Sequence, residues 1–95
     1  MEIIVLGLSH KTAPIELREK LHIPESELPK VLEDLGGCEQ IRERMILSTC
    51  NRVEVYAVVD DVEGARRFLV EFLAERHTLL SQDFESHLYL LTADQ

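Results

Sequence analysis

Cys50 and Arg52, two side chains capable of covalent and ionic chemistry, stand two residues apart in Ser48-Thr49-Cys50-Asn51-Arg52, between two runs that read as β-strands. A strand-to-strand corner turns its side chains out of the hydrogen-bonded ladder while the sheet fixes its backbone, so a thiol placed there can meet a substrate. A thiol with the ordinary pKa of about 8.5 is only a few per cent thiolate at neutral pH, yet it is nucleophilic enough to attack an activated ester. Arg52 could raise that thiolate fraction, or pair with a substrate carboxylate in fork geometry. Both residues also have plainer roles, Cys50 as a small buried hydrophobe at a strand end and Arg52 as a surface cation paired with Glu54 or another acid. Asn51 suits a turn because it tolerates positive φ, and its amide could orient a carbonyl or an amino group. Thr49 offers a hydroxyl beside the thiol.

Supporting positions behind this corner are open to Ser9 and His10, in the loop that follows the first strand. His10 reaches Cys50 only if both fall on one rim of the sheet; otherwise it is a solvated or capping residue. His22, His77 and His87 fall at surfaces or helix ends, and no histidine has ligand spacing with another His or Cys, so no metal site is expected. The glycines are Gly7, Gly36, Gly37 and Gly64, from which neither a G-x-G-x-x-G nor a P-loop can be built.

The elements that must position the corner follow from periodicity. Residues 2–8 are a β-branched and leucine run, consistent with a central strand buried on both faces. Pro14 opens a short helix with Ile15, Leu17, Leu21 and Ile23 apolar and Glu16, Arg18, Glu19 and Lys20 solvated. A second helix begins at Glu25 to Glu27, tolerates Pro29 in its first turn, buries Leu28, Val31, Leu32 and Leu35, and ends at Gly36-Gly37 in a left-handed conformation. Runs 43–49 and 53–59 pair as a hairpin about Cys50 to Arg52, the second alternating Val53, Val55, Ala57 and Val59 with Glu54, Tyr56 and Val58. Asp60-Asp61 start a helix carrying Val62, Ala65, Phe68, Leu69, Phe72 and Leu73 at spacings of three and four. A polar patch from Ser81 to Glu85 precedes a last strand at Leu88-Leu91. The order β-α-β-β-α-β predicts an α+β, ferredoxin-like split fold with an antiparallel sheet and helices on one face.

At 95 residues the chain forms one domain with a single modest core. The net charge of −8, from 18 acids against 10 bases, argues against a surface that grips nucleic acid through its phosphates. No apolar run reaches bilayer length and no basic leader opens the chain, so a cytoplasmic protein with no membrane association is expected. Cys38 and Cys50 are then free thiols. A Cys38–Cys50 redox switch and a small regulatory or interaction module stand as competing readings.

The segments Ile46-Leu47-Ser48-Thr49-Cys50-Asn51-Arg52-Val53-Glu54-Val55-Tyr56 and Gly7-Leu8-Ser9-His10-Lys11-Thr12-Ala13-Pro14 resemble glutamyl-tRNA reductase. The resemblance runs along the whole chain and is densest at residues 7–18 and 46–56. It implies a catalytic Cys50 that takes the glutamyl group from glutamyl-tRNA as a thioester, with Thr49, Asn51 and Arg52 binding substrate and Arg52 meeting a carboxylate. It further implies reduction by NADPH to glutamate-1-semialdehyde, the first step of five-carbon 5-aminolevulinate and tetrapyrrole synthesis. On that resemblance residues 1–95 are the N-terminal catalytic, glutamyl-binding domain, trimmed short of its last helix. The NADPH-binding and dimerising domains of a homodimer lie outside it, and glutamate-1-semialdehyde aminomutase is a candidate partner. The tRNA would be gripped mainly by those other domains, and this domain alone is not expected to be a competent reductase.

Overall fold

The structure is a computed structural model that describes residues 1–93. Asp94 and Gln95, the last two residues of the sequence, lie outside the described part. The fold is α+β. Four strands, β1 (Glu2–Ser9), β2 (Ile41–Ser48), β3 (Arg52–Val59) and β4 (Tyr89–Thr92), form one sheet in the order β2-β3-β1-β4, every neighbouring pair antiparallel. There are three α-helices, α1 (Ile15–Leu21), α2 (Leu28–Leu35) and α3 (Val62–Arg76), with a 3₁₀ turn at Glu25–Glu27 between α1 and α2 and two more, Ser81–Asp83 and Glu85–His87, between α3 and β4. No helix among the described residues is long and apolar enough to cross a membrane.

Strand alternation decides what is buried. Ile4, Leu6 and Leu8 of β1 share one face with Val53, Val55, Ala57 and Val59 of β3, and all seven are buried. Leu21, Ile23, Val31, Leu35, Leu69 and Leu73 close over them to complete the core. The opposite face is different. Ile3 and Met45 are each 56% exposed there, so β1 is central but not buried on both faces as its apolar run suggested. That run is read correctly as a strand; only its residues of one parity meet the helices.

Two local expectations are corrected. Gly36 and Gly37 do end α2, but no described glycine has positive φ. Gly36 instead makes room: a Cβ there would lie 2.6 Å from Nη2 of Arg44, whose Nε donates to the Leu32 carbonyl at 2.8 Å. Asn51 is likewise not left-handed, since Thr78 is the one non-glycine residue of positive φ among those described. Phe84 is the other surprise. It lies in the stretch read as a polar patch, between two 3₁₀ turns, and is fully buried.

Candidate active site at the β2–β3 corner

The corner between β2 and β3 is three residues long in its turn, and Thr49 closes it. The Thr49 N–H donates to the Arg52 carbonyl at 2.7 Å, while Oγ1 of Thr49 accepts the N–H groups of Asn51 at 3.2 Å and Arg52 at 3.1 Å. A hydroxyl that satisfies its own turn in this way replaces the positive-φ residue the sequence suggested, leaving Asn51 free of backbone strain. The result is a fixed backbone from which Cys50 projects into solvent. Cys50 is therefore not the small buried hydrophobe at a strand end.

Ser9, at the end of β1, pairs with Arg52, at the start of β3, and the His10 N–H donates to the Asn51 carbonyl at 2.8 Å. His10 and the corner thus occupy the same rim of the sheet, the point that strand polarity alone left open. The loop holding His10 is stapled reciprocally. The Ser9 N–H donates to Thr12 Oγ1 at 3.0 Å, and the Lys11 N–H donates to Ser9 Oγ at 3.1 Å.

The four residues picked out at the corner divide between two pockets. Thr49 and Cys50 line one of about 260 Å³ with Ile15, Arg18, Glu19 and His22. Asn51 and Arg52 line another of about 590 Å³ with Ser9, His10, Lys11, Thr12, Glu54 and Tyr89. The thiol lines the first, and the next residue lines the second. The thiol's companions in its pocket include Ile15, Arg18 and Glu19 of α1, not Arg52.

Beneath Arg52 lies a buried carboxylate. Glu54 is 5% exposed on the face of the sheet that the helices leave bare. It accepts the hydroxyl of Tyr56 at 2.8 Å and that of Tyr89, and Arg52 Nη1 stands 3.8 Å from its Oε1. A buried carboxylate of this kind persists when hydrogen-bond donors and a cation compensate its desolvation. Its partners are marked in turn. Burial, then the hydrogen bond to Glu54, pushes the Tyr89 hydroxyl well above the usual phenol range, and the Glu54 hydrogen bond raises that of Tyr56. Arg52 is thus tethered from behind, while half of its side chain faces the pocket.

His22 and Arg18 are the site residues that sequence reasoning missed. Ser48 Oγ accepts the Ile23 N–H at 3.0 Å and lies 3.0 Å from His22 Nδ1, which pins the end of α1 to the end of β2. The available signal was Ile15, Arg18, Glu19 and His22 at i, i+3, i+4 and i+7, a single helical face beside the partly buried Leu17 and the buried Leu21. His87 Nδ1 meets the Thr12 carbonyl at 2.9 Å and His77 Nδ1 the Leu73 carbonyl at 3.0 Å, both structural contacts. Among the described residues no cluster of three His, Cys, Asp or Glu side chains could hold a metal ion. Cys38, partly buried against the core before β2, is separated from Cys50 by that whole strand, on the order of 25 Å at ~3.3 Å per residue. No disulfide spans that distance, so the two cysteines are not a redox pair.

The site is thus the rigid corner of an α+β domain, with an exposed thiol and a tethered guanidinium two residues apart, each lining its own pocket. The chain belongs to the glutamyl-tRNA reductase family: residues 6–95 match the model described as "Glutamyl-tRNAGlu reductase, N-terminal domain". It is 47% identical over 105 aligned residues to the glutamyl-tRNA reductase of Microcystis aeruginosa, covering 98% of this chain and 24% of that protein. It is 44% identical to the glutamyl-tRNA reductase of Prochlorococcus marinus, with 100% of this chain and 22% of that protein covered. Among solved structures, the glutamyl-tRNA reductase from Methanopyrus kandleri is similar with a TM-score of 0.56 and 28% identity, over 75% of this chain and 16% of that one. The chain therefore spans about a quarter of the length of the curated relatives it matches.

Proposed function

We propose that this chain is the N-terminal catalytic domain of a cytoplasmic glutamyl-tRNA reductase, in which Cys50 takes the glutamyl group from glutamyl-tRNA. The observation that carries this reading is the exposed thiol on a corner clamped by Thr49, one residue from the Arg52 pocket. The strand order β2-β3-β1-β4, with β3 between β1 and β2 and β1 between β3 and β4, supports a ferredoxin-like split architecture.

The chemistry is an acyl transfer. An aminoacyl ester is already an activated acyl donor; the Cys50 thiolate attacks its carbonyl carbon, the C–S bond forms, and the C–O bond to the terminal ribose breaks. The ribose oxygen leaves with a proton, and the glutamyl group remains on Cys50 as a thioester. Arg52 suits a substrate carboxylate because its guanidinium offers paired N–H donors and cannot deprotonate. Asn51 and Thr49 complete the substrate-binding set, and His10 and Ser9 support the rim behind Arg52.

NADPH, which the relatives' reaction class calls for, does not fit the residues of this chain. Gly7 lies inside a strand, Gly36 and Gly37 in a helix-to-strand turn and Gly64 inside α3, so none stands in a strand-to-helix loop that could cradle a pyrophosphate. Reduction of the thioester to glutamate-1-semialdehyde, for tetrapyrrole synthesis, falls to other parts of a longer, homodimeric protein, with glutamate-1-semialdehyde aminomutase as the partner that receives the aldehyde.

Intact mass spectrometry after brief mixing with glutamyl-tRNA and acid quench tests the proposal. A one-glutamyl adduct on the parent and none on Cys50→Ser is expected. An equal adduct on both proteins would place the acyl group elsewhere.

A further inference from the structure

The pocket beside Cys50 holds an incomplete cation. Nε and Nη1 of Arg18 are closed off from solvent, and neither has a hydrogen-bond partner among the described residues. A guanidinium cannot shed its charge, so unpaired N–H groups out of water are costly and favour a turn of the side chain toward an acceptor that enters the pocket. Glu19, the next residue, lines the same pocket but forms no ion pair with Arg18 among the described residues. Ile15, three residues earlier on the same helix face, is 53% exposed at that pocket, an apolar surface with nothing against it. An apolar wall and an unanswered planar cation within about 260 Å³ are a match for one nucleoside and its phosphate, not for a length of nucleic acid.

The position of the thiol gives that match a meaning. A nucleophile that splits an ester must reach both the acyl group and the leaving alcohol; Cys50 lines the Arg18 pocket, and the next residue, Asn51, lines the Arg52 pocket. With the glutamyl group against Arg52, the leaving alcohol lies on the α1 side. We infer that the Ile15–Arg18–His22 face of α1 is the subsite for the terminal adenosine of the tRNA, with Arg18 pairing with its 5′ phosphate. This inference rests on the reading of Cys50 as the acyl acceptor. It assigns the leaving group to a place that neither Thr49-Cys50-Asn51-Arg52 nor the Arg52 pocket provides.

The test is a nuclear magnetic resonance titration of this chain with adenosine 5′-monophosphate and, separately, adenosine, following the Ile15 methyl groups and the Arg18 Nε–H. Both ligands should shift Ile15, and the monophosphate should bind about tenfold more tightly, the difference a charge-assisted fork supplies. Arg18→Gln should erase that preference and Arg18→Lys keep part of it, while Arg52→Lys and Cys50→Ser leave it intact. Shifts confined to the Arg52 pocket, a preference that survives Arg18→Gln, or no shift at any attainable concentration would overturn the inference. The readout involves no acylation. Loss of the Cys50 adduct with the titration intact would count against the nucleophile and not against the subsite.

Discussion

The Tyr89 hydroxyl donates to the Glu54 carboxylate although β1 lies between their strands. Gly7 makes this possible. It is the Cα partner of Tyr89 on one side and of Glu54 on the other, and having no side chain it lets the two meet above it. A Cβ at Gly7 would stand 2.8 Å from Cγ of Glu54 and closer still to the Val53 carbonyl oxygen. Gly7→Ala should therefore destabilise the domain by about 1–3 kcal/mol, as overpacking does. Urea unfolding would show it, and an unchanged midpoint would mean that the β3 backbone at Val53 and Glu54 gives way along with the Glu54 side chain.

Tyrosine titration reads the same network. The chain has two tyrosines and no tryptophan, so phenolate absorbance reports Tyr56 and Tyr89 alone. Both hydroxyls are raised in the folded state, so their contribution to stability is fully present below the unfolded phenol pKa of about 10 and is lost as pH rises through the folded values. The folded domain should stay un-ionised at pH values where the urea-unfolded chain is already titrating. Glu54→Gln should lower both hydroxyls, and Tyr89 should stay above the ordinary phenol range because burial, its largest cause, remains. A Tyr89 hydroxyl that returned fully to the ordinary range would contradict that assignment.

Thr49→Ala removes the acceptor for two corner N–H groups and should cost about 1 kcal/mol, with Thr49→Ser retaining most of the stability. Hydrogen exchange at the Asn51 and Arg52 amides is the sensitive measurement. Protection unchanged in Thr49→Ala would show that the hairpin holds the corner without its hydroxyl.

Arg52→Lys keeps a charge but loses the fork, so glutamyl adduct formation should slow roughly tenfold or more while alkylation of Cys50 by iodoacetamide is unchanged. Were both rates to fall together, Arg52 would act on the thiol and not on the substrate.

Phe84→Ala should cost about 3–5 kcal/mol by cavity formation, since its ring is fully buried. A loss under 1 kcal/mol, read from the thermal midpoint, would show that the two 3₁₀ turns collapse into the space.

Phe84 also marks where sequence reading stops. Strands β1 to β4 and helix α3 were legible because β1, β2 and β4 are short apolar runs, β3 alternates and the apolar residues of α3 recur at three and four, signals local to each segment. Phe84 has Asp83 and Glu85 as neighbours, and no local period tells a single aromatic in a polar run that the core will close over it. The corner residues were legible as a motif. The division of that motif between two pockets was not, because it depends on α1 docking against β2 through His22 and Ser48, 26 residues apart in sequence. Arg18 looked solvated for the same reason: Thr49 and Cys50, which share its pocket, are far along the chain.

The acidity of the chain bears on how a polyanion could approach it. With a net charge of −8, most of the surface repels a nucleic acid laid broadside along it. Lys11 and Arg52 line one side of the corner and Arg18 the other, with Glu54 and Glu19 beside them, so the rim carries both signs. Under the proposed function the domain has to meet its substrate at the tip, where a few paired contacts suffice, because its overall charge opposes a strand laid along it.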